Sequence, residues 1–125
     1  MPMAGDGVRL KNAGFKVPKP LIEVNGKPMF VNSANCMPDA DIWIFIIKNR
    51  ILKDYNIEYL INKNFLSYKI ISVDETTKGQ ASSCYLAKKF INNNDQIFIN
   101  SCGFILGIIT YLKTNIIVIL SKAFL

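Results

Sequence analysis

MPMAGDGVRLKNAGFKVPKPLIEVNGKPMF, residues Met1–Phe30, holds the reading on which the fold turns. A scrap of apolar chain, Met1-Pro2-Met3, runs straight into the small-residue turn Ala4-Gly5-Asp6-Gly7. Glycine lets backbone N–H groups come close to an anion, and successive amides in such a turn form a concavity for phosphate. Arg9 follows at once, and Lys19 stands later between Pro18 and Pro20. A guanidinium is a planar fork and an ammonium a point charge, so the two make complementary phosphate contacts. Apolar segment, glycine turn and two cations together predict a grip for a nucleotide's polyphosphate.

Outward from this segment the chain alternates between short apolar runs and helical patterns. Leu21–Val24 reads as an extended segment closed by the Asn25-Gly26 turn, and Pro28 as the first residue of a helix running towards Cys36. Asp41–Lys48 (DIWIFIIK) is a near-continuous apolar run of strand length, as expected of a strand covered on both faces. Leu52, Tyr55, Ile57, Tyr59, Leu60 and Ile61 predict a partly amphipathic helix, and Tyr68–Asp74 another strand. Gly79–Ile91 reads as a helix with Ala81, Cys84, Tyr85, Leu86 and Ala87 on its buried side. Asn92–Asp95 is a loop, and Gln96–Asn100 (QIFIN) a third buried strand. Alternating strands and helices imply right-handed crossovers and a mostly parallel sheet with flanking helices, a layered α/β domain. Ligands of such sheets bind beyond the carboxyl ends of the strands, where the glycine turn and Ser101-Cys102-Gly103 both fall.

Phe104–Leu125 is unusually apolar but is broken by Gly107, Lys113, Asn115 and Lys122. Its uninterrupted runs are shorter than the roughly 20 residues of a membrane span. A buried helix followed by a strand over Asn115–Ser121 is expected, with no membrane span; a membrane-associated tail is the alternative.

The 125 residues are 50% hydrophobic and 19% charged, which fits one globular domain and excludes a disordered chain. The net charge of +6 favours anionic partners. Its lysines are spread along the chain, with no basic run and no nucleic-acid module, so phosphorylated small molecules are expected and nucleic acid is not. Histidine is absent, which excludes Ser-His-Asp and Cys-His machinery and any His-ligated zinc. Cys36, Cys84 and Cys102 are odd in number and far apart, which predicts reduced thiols. With no signal-peptide pattern at the start, a cytoplasmic location is the expectation.

The glycine turn with Arg9, the element Pro18-Lys19-Pro20-Leu21 and Gly26-Lys27-Pro28-Met29 together resemble the signature of the sugar-phosphate nucleotidyltransferases. That signature is written G-x-G-x-R, then P-K-P-L and G-K-P-M. The resemblance implies a three-layer Rossmann-like domain of the type shared with many glycosyltransferases. It implies a reaction in which a sugar-phosphate oxygen attacks the α-phosphorus of a nucleoside triphosphate, forming an activated sugar and pyrophosphate. On this resemblance Ala4, Gly5 and Gly7 wrap the triphosphate, Arg9 steadies the leaving pyrophosphate, and Lys19 contacts phosphate near the reacting centre. Arg9 and Lys19 are thus the catalytic candidates, and Asp6, at a variable loop position, has no role. The family's G-Q-A element is matched by Gly79-Gln80-Ala81, implying that Gly79 and Gln80 meet the base and ribose. An amide side chain has both donor and acceptor atoms for a base edge. On the residues alone, Thr77–Ala81 equally describes a helix start, with Thr77 capping and Gly79 turning the chain. The implied partners are a nucleoside triphosphate and a sugar phosphate, in sugar-nucleotide supply for polysaccharide synthesis, and the implied cofactor is Mg²⁺.

Three departures qualify what the resemblance implies. After the third strand the family places an aspartate that holds magnesium, whereas here Asn100-Ser101 leads to Cys102 and Gly103. Nothing in Ile99–Leu112 offers a carboxylate, and hard Mg²⁺ prefers oxygen ligands to a thiol. No metal ligand is assigned, Cys102 reads as a small buried or rim residue, and little or no turnover is expected. The first strand is trimmed to Met1–Met3, and relatives are considerably longer, so residues 1–125 read as a partial domain. Unpartnered strand edges favour association, with a second copy or with a partner chain. A non-catalytic remnant that binds nucleotide is the rival reading.

Overall fold

The computed structural model describes residues 1–92, 94–103 and 116–118. In chain order the elements are β1 (Pro2–Met3), α1 (Val8–Asn12), a 3₁₀ turn (Lys19–Leu21), β2 (Glu23–Val24), β3 (Lys27–Pro28) and α2 (Met29–Asn35). There follow β4 (Trp43–Lys48), α3 (Asn49–Asp54), α4 (Ile57–Asn64) and β5 (Tyr68–Val73). The chain continues with α5 (Gln80–Tyr85), a second 3₁₀ turn (Lys88–Phe90), β6 (Ile97–Ile99) and β7 (Ile116–Val118).

The β-branched and aromatic run WIFIIK forms the central strand β4, because such side chains pack well on a pleated surface covered from both sides. Phe45, Ile46 and Ile47 are fully buried. β4 pairs in parallel with β5 from Trp43↔Tyr68 to Lys48↔Val73. On its other side it pairs in parallel with β1, Pro2↔Ile46 and Met3↔Ile47. The ladder is prolonged by the amide of Ile46, which donates to the Met1 carbonyl at 3.1 Å. The result is a parallel α/β sheet of order β1-β4-β5 flanked by helices, the Rossmann-like fold class expected. β6 pairs with β7 instead, also in parallel, Ile97↔Ile116 to Ile99↔Val118. β6 is half-buried where a buried strand is expected, since among the described residues its ladder partner is β7 and not the central sheet. β7 falls inside the strand expected over Asn115–Ser121, and the helix expected before it lies outside the described residues. Among the described residues no helix is long and apolar enough to cross a membrane.

Glu23–Val24 and Lys27–Pro28 form a hairpin rather than one extended segment from Leu21, because the Pro18–Pro20 element holds Leu21 in the 3₁₀ turn. At its tip Asn25 (φ 51°) and Gly26 (φ 75°) are both left-handed, the type I′ geometry that Asn-Gly favours. Pro28 stays extended (ψ 142°) as a strand residue, so the helix begins one residue later than expected, at Met29. α2 buries Met29, Phe30, Val31, Ser33 and Ala34. Phe30 meets the edge of Phe45 at 6.1 Å, and Phe65 lies 5.0 Å from Phe45, so one aromatic cluster joins helix and sheet.

Two helical expectations need correction. The single amphipathic helix is two, α3 and α4, parted at Tyr55, whose backbone (φ −137°, ψ 86°) is not helical. The break lets Ile51, Ile57 and Ile61 all reach the core, while Tyr59 is exposed. The helix expected over Gly79–Ile91 ends at Tyr85 and resumes only as the second 3₁₀ turn. Its buried face is Ser83 and Ala87, four apart, while Ala81 is exposed, Cys84 half-buried, Tyr85 68% exposed and Leu86 exposed. α5 packs against β1 with its small buried residues inward. Tyr85 instead lies beneath the Lys88 ammonium, 5.5 Å from its ring centre.

Candidate anion-binding cleft

Because β1, β4 and β5 run parallel, their carboxyl ends share one edge, and the chain leaves it through Ala4–Gly7, Lys48 and the Asp74–Gly79 segment. A cleft of about 1150 Å³ opens there. Ala4, Gly5, Gly7, Arg9, Lys19, Gly79, Gln80 and Cys102 all line it. Residues from four separate stretches of sequence thus come to one wall system, and Arg9 and Lys19 are not turned to opposite sides of the molecule.

Gly7 adopts the left-handed conformation (φ 62°, ψ 32°) and its carbonyl accepts from the amides of Leu10 and Lys11, so α1 starts directly from the glycine turn. That places Arg9 one turn from the loop amides. Lys19 is fixed by its neighbours: Pro18 supplies a preset φ of −55°, Pro20 is buried, and the Leu21 amide closes on the Pro18 carbonyl at 2.8 Å. Its side chain passes between two glycines. A Cβ at Gly7 would sit 3.4 Å from the Lys19 Cβ, and a Cβ at Gly103 would stand 2.5 Å from the Lys19 Cε. A side chain at residue 103 would therefore require the end of the Lys19 side chain to shift.

Beside that ammonium lies Cys102, 6% exposed. Burial pushes its thiol upward and the positive charge of Lys19 opposes this only in part, so the neutral thiol persists at neutral pH. Among the described residues no carboxylate lines the cleft, and nowhere do three or more Cys, Asp or Glu gather as a metal site. A neutral thiol beside an ammonium is a donor set that does not fit Mg²⁺, a hard cation that takes oxygen ligands. The Ser101 carbonyl is held in place from below: it accepts from the Ser33 hydroxyl at 2.7 Å, and the buried Asn100 amide donates to the Ser33 carbonyl at 3.0 Å.

On the opposite wall Gly79 has φ 144°, a conformation that side chains disfavour, and it starts α5 without a side-chain cap. The Thr77 hydroxyl donates to the Gly79 carbonyl at 3.1 Å and lies 2.5 Å from the Ser83 hydroxyl. Thr77 thus braces the turn and does not cap the helix, correcting the alternative reading of this segment. The Gln80 Nε2 is buried and has no hydrogen-bond partner among the described residues. Leaving a buried donor unpaired costs about 1–3 kcal/mol.

One constellation at this edge escaped the sequence reading. Lys48, the last residue of β4, is 5% exposed and donates to the Asp6 carboxylate and to the Thr76 hydroxyl. Thr76 donates in turn to the other Asp6 oxygen at 2.6 Å, and the Arg50 guanidinium stands 3.8 Å away. The hydrogen bonds from Lys48 and then Thr76 draw the Asp6 carboxyl down to about 2. Asp6 has a definite structural partner, contrary to the expectation that it has no role. The available signal is the lysine itself, a lone charge closing an apolar run that is buried on both faces.

A parallel α/β sheet flanked by helices, with a glycine turn, Arg9 and Lys19 lining a cleft at its carboxyl edge, defines a protein of the Rossmann-like fold class. No protein-family model and no curated protein matches the chain. Among solved structures it is similar to the nucleoside-diphosphate-sugar pyrophosphorylase from Vibrio cholerae RC9, with a TM-score of 0.57 and 25% sequence identity. The match covers 74% of this chain and 43% of that one, so the chain spans less than half the length of its structural neighbour. The likeness supports a nucleotidyltransferase type of fold in general terms.

Proposed function

We propose that the cleft binds the triphosphate of a nucleoside triphosphate, in the manner of enzymes that transfer a nucleoside monophosphate to a sugar phosphate with release of pyrophosphate. The observation that supports this most directly is the convergence of Arg9, Lys19 and the Ala4–Gly7 backbone on one cleft, which Gln80, a candidate for the base edge, also lines. The chemistry suits a chain without histidine. The attacking sugar-phosphate oxygen is already ionised, so positioning and charge neutralisation dominate over base catalysis. In this reading Lys19 neutralises the phosphate nearest the reacting centre and Arg9 the departing pyrophosphate, while Ala4, Gly5 and Gly7 supply amides and Gly79 lets Gln80 approach the base.

A second reading, binding of nucleotide without turnover, is favoured by one feature: Cys102 stands where the resembled enzymes carry a magnesium-holding aspartate. We therefore propose binding with weak turnover at most. The test is thermal stabilisation by each nucleoside triphosphate, followed by a product assay with Mg²⁺ and a panel of sugar phosphates. Stabilisation that vanishes in Lys19→Ala supports the site, and product formation lost in the same variant makes the chain an enzyme. No stabilisation by any nucleoside triphosphate overturns the reading.

A further inference from the structure

Between the two glycines that line the cleft stands a residue of the wrong charge for an anion site. Gly5 and Gly7 face the cavity, but Asp6 does not line it. Its carboxylate is held by Lys48, at the end of β4, and by Thr76, which lines the cleft from the segment after β5. Lys48 reaches it across 42 residues of sequence. The Lys48 ammonium is almost wholly buried, and a buried cation persists only when paired and hydrogen-bonded, so Lys48 depends on Asp6, whose own side chain is 39% exposed. Arg50 is more than half exposed at 3.8 Å and contributes little beside it.

We infer that Lys48 is a positioning residue of the polyphosphate site: by holding Asp6 it draws that carboxylate off the cleft wall and keeps the Gly5–Gly7 backbone turned towards an anion. The inference rests on the polyphosphate reading above and adds a residue to it. Without Lys48 two things follow. The carboxylate loses its counter-charge and repels an incoming anion, and the loop loses its anchor to the sheet edge.

Inorganic tripolyphosphate, titrated calorimetrically into the full chain, tests this. Lys48→Met weakens tripolyphosphate binding about tenfold, the size of one charge-assisted contact. The double variant Asp6→Asn, Lys48→Met, which removes the repulsion but does not restore the anchor, recovers part of that loss and binds about threefold more weakly than the wild type. A double variant as weak as Lys48→Met, or a Lys48→Met that binds like the wild type, overturns the inference. Amide exchange across Ala4–Gly7 supplies a readout that needs no ligand: it quickens in Lys48→Met and also in Asp6→Ala, a solvent-side truncation that serves if the former does not fold. Unchanged exchange in both overturns the latch. A wild type that does not bind tripolyphosphate defeats the polyphosphate reading, while the exchange result still decides the latch.

Discussion

The two walls of the cleft make opposite use of charge. The amino-terminal wall, Ala4 to Lys19, presents a glycine turn and two cations, each positioned by its own backbone: Gly7 left-handed at the start of α1, Lys19 held between prolines. The wall beyond β6 presents Asn100 to Gly103, with one buried thiol and no carboxylate. The first carries the amides and cations that the proposed grip on phosphate requires. The second lacks the hard oxygen that would hold a dication to it. Gripping an anion needs only amides and cations, whereas a metal-assisted transfer also needs a ligand set, and the two requirements reside on different strand ends. One can therefore be complete without the other.

The comparison breaks first at Lys19. Lys19→Ala removes the charge nearest both walls, and loss of one to two charge-assisted hydrogen bonds predicts a roughly 10–100-fold weaker nucleoside triphosphate affinity by calorimetry. Unchanged affinity would mean that the amino-terminal wall does not grip phosphate. Next comes Gly103→Ala, which tests whether the second wall shapes the first. The new methyl meets the Lys19 side chain, so the ammonium must shift, and affinity falls about tenfold while the melting temperature changes little. Cys102→Asp sharpens the contrast from the other side. It supplies the missing oxygen ligands, and nucleotide affinity rises a few-fold (on the order of 1 kcal/mol) in the presence of Mg²⁺ only. No gain with Mg²⁺ would show that residue 102 is not placed to share a metal with the phosphates.

The smallest effect is acid stability. Asp6 has its carboxyl lowered from the ordinary 3.8 to about 2, so its contribution to stability is fully present above about 3.8 and is lost as pH falls through about 2. Acid unfolding monitored by circular dichroism should show a drop in that window that is absent from Asp6→Asn. An identical acid profile in both would mean that the carboxylate is not paired with Lys48 in solution.

Short-range chemistry made much of this molecule legible. The run WIFIIK is a central strand because its composition suits burial on both faces, and Asn25-Gly26 is a turn because both residues accept left-handed backbone. What failed was longer in range or finer in balance. Nothing local in Gly79–Ile91 says that Ser83 and Ala87 rather than Tyr85 and Leu86 face inward; that is decided by which face of α5 packs on the rest of the molecule. The division of α3 from α4 at Tyr55 likewise answers to three isoleucines seeking one core. Pairing of β6 with β7 rather than with the central sheet is a choice between partners distant along the chain.

By itself the amino-acid sequence determined the run of strands and helices, the parallel class of the sheet, and the company of glycines, arginine and lysine near the start. Apolar periodicity and turn preferences act over a few residues and can be read one after another. Only the tertiary structure decided that Lys19 threads between Gly7 and Gly103, that Gln80 comes to line the same cavity, and that Lys48 claims Asp6. These contacts are made where crossover connections bring strand ends together, and the distances between them are set by packing across the whole sheet.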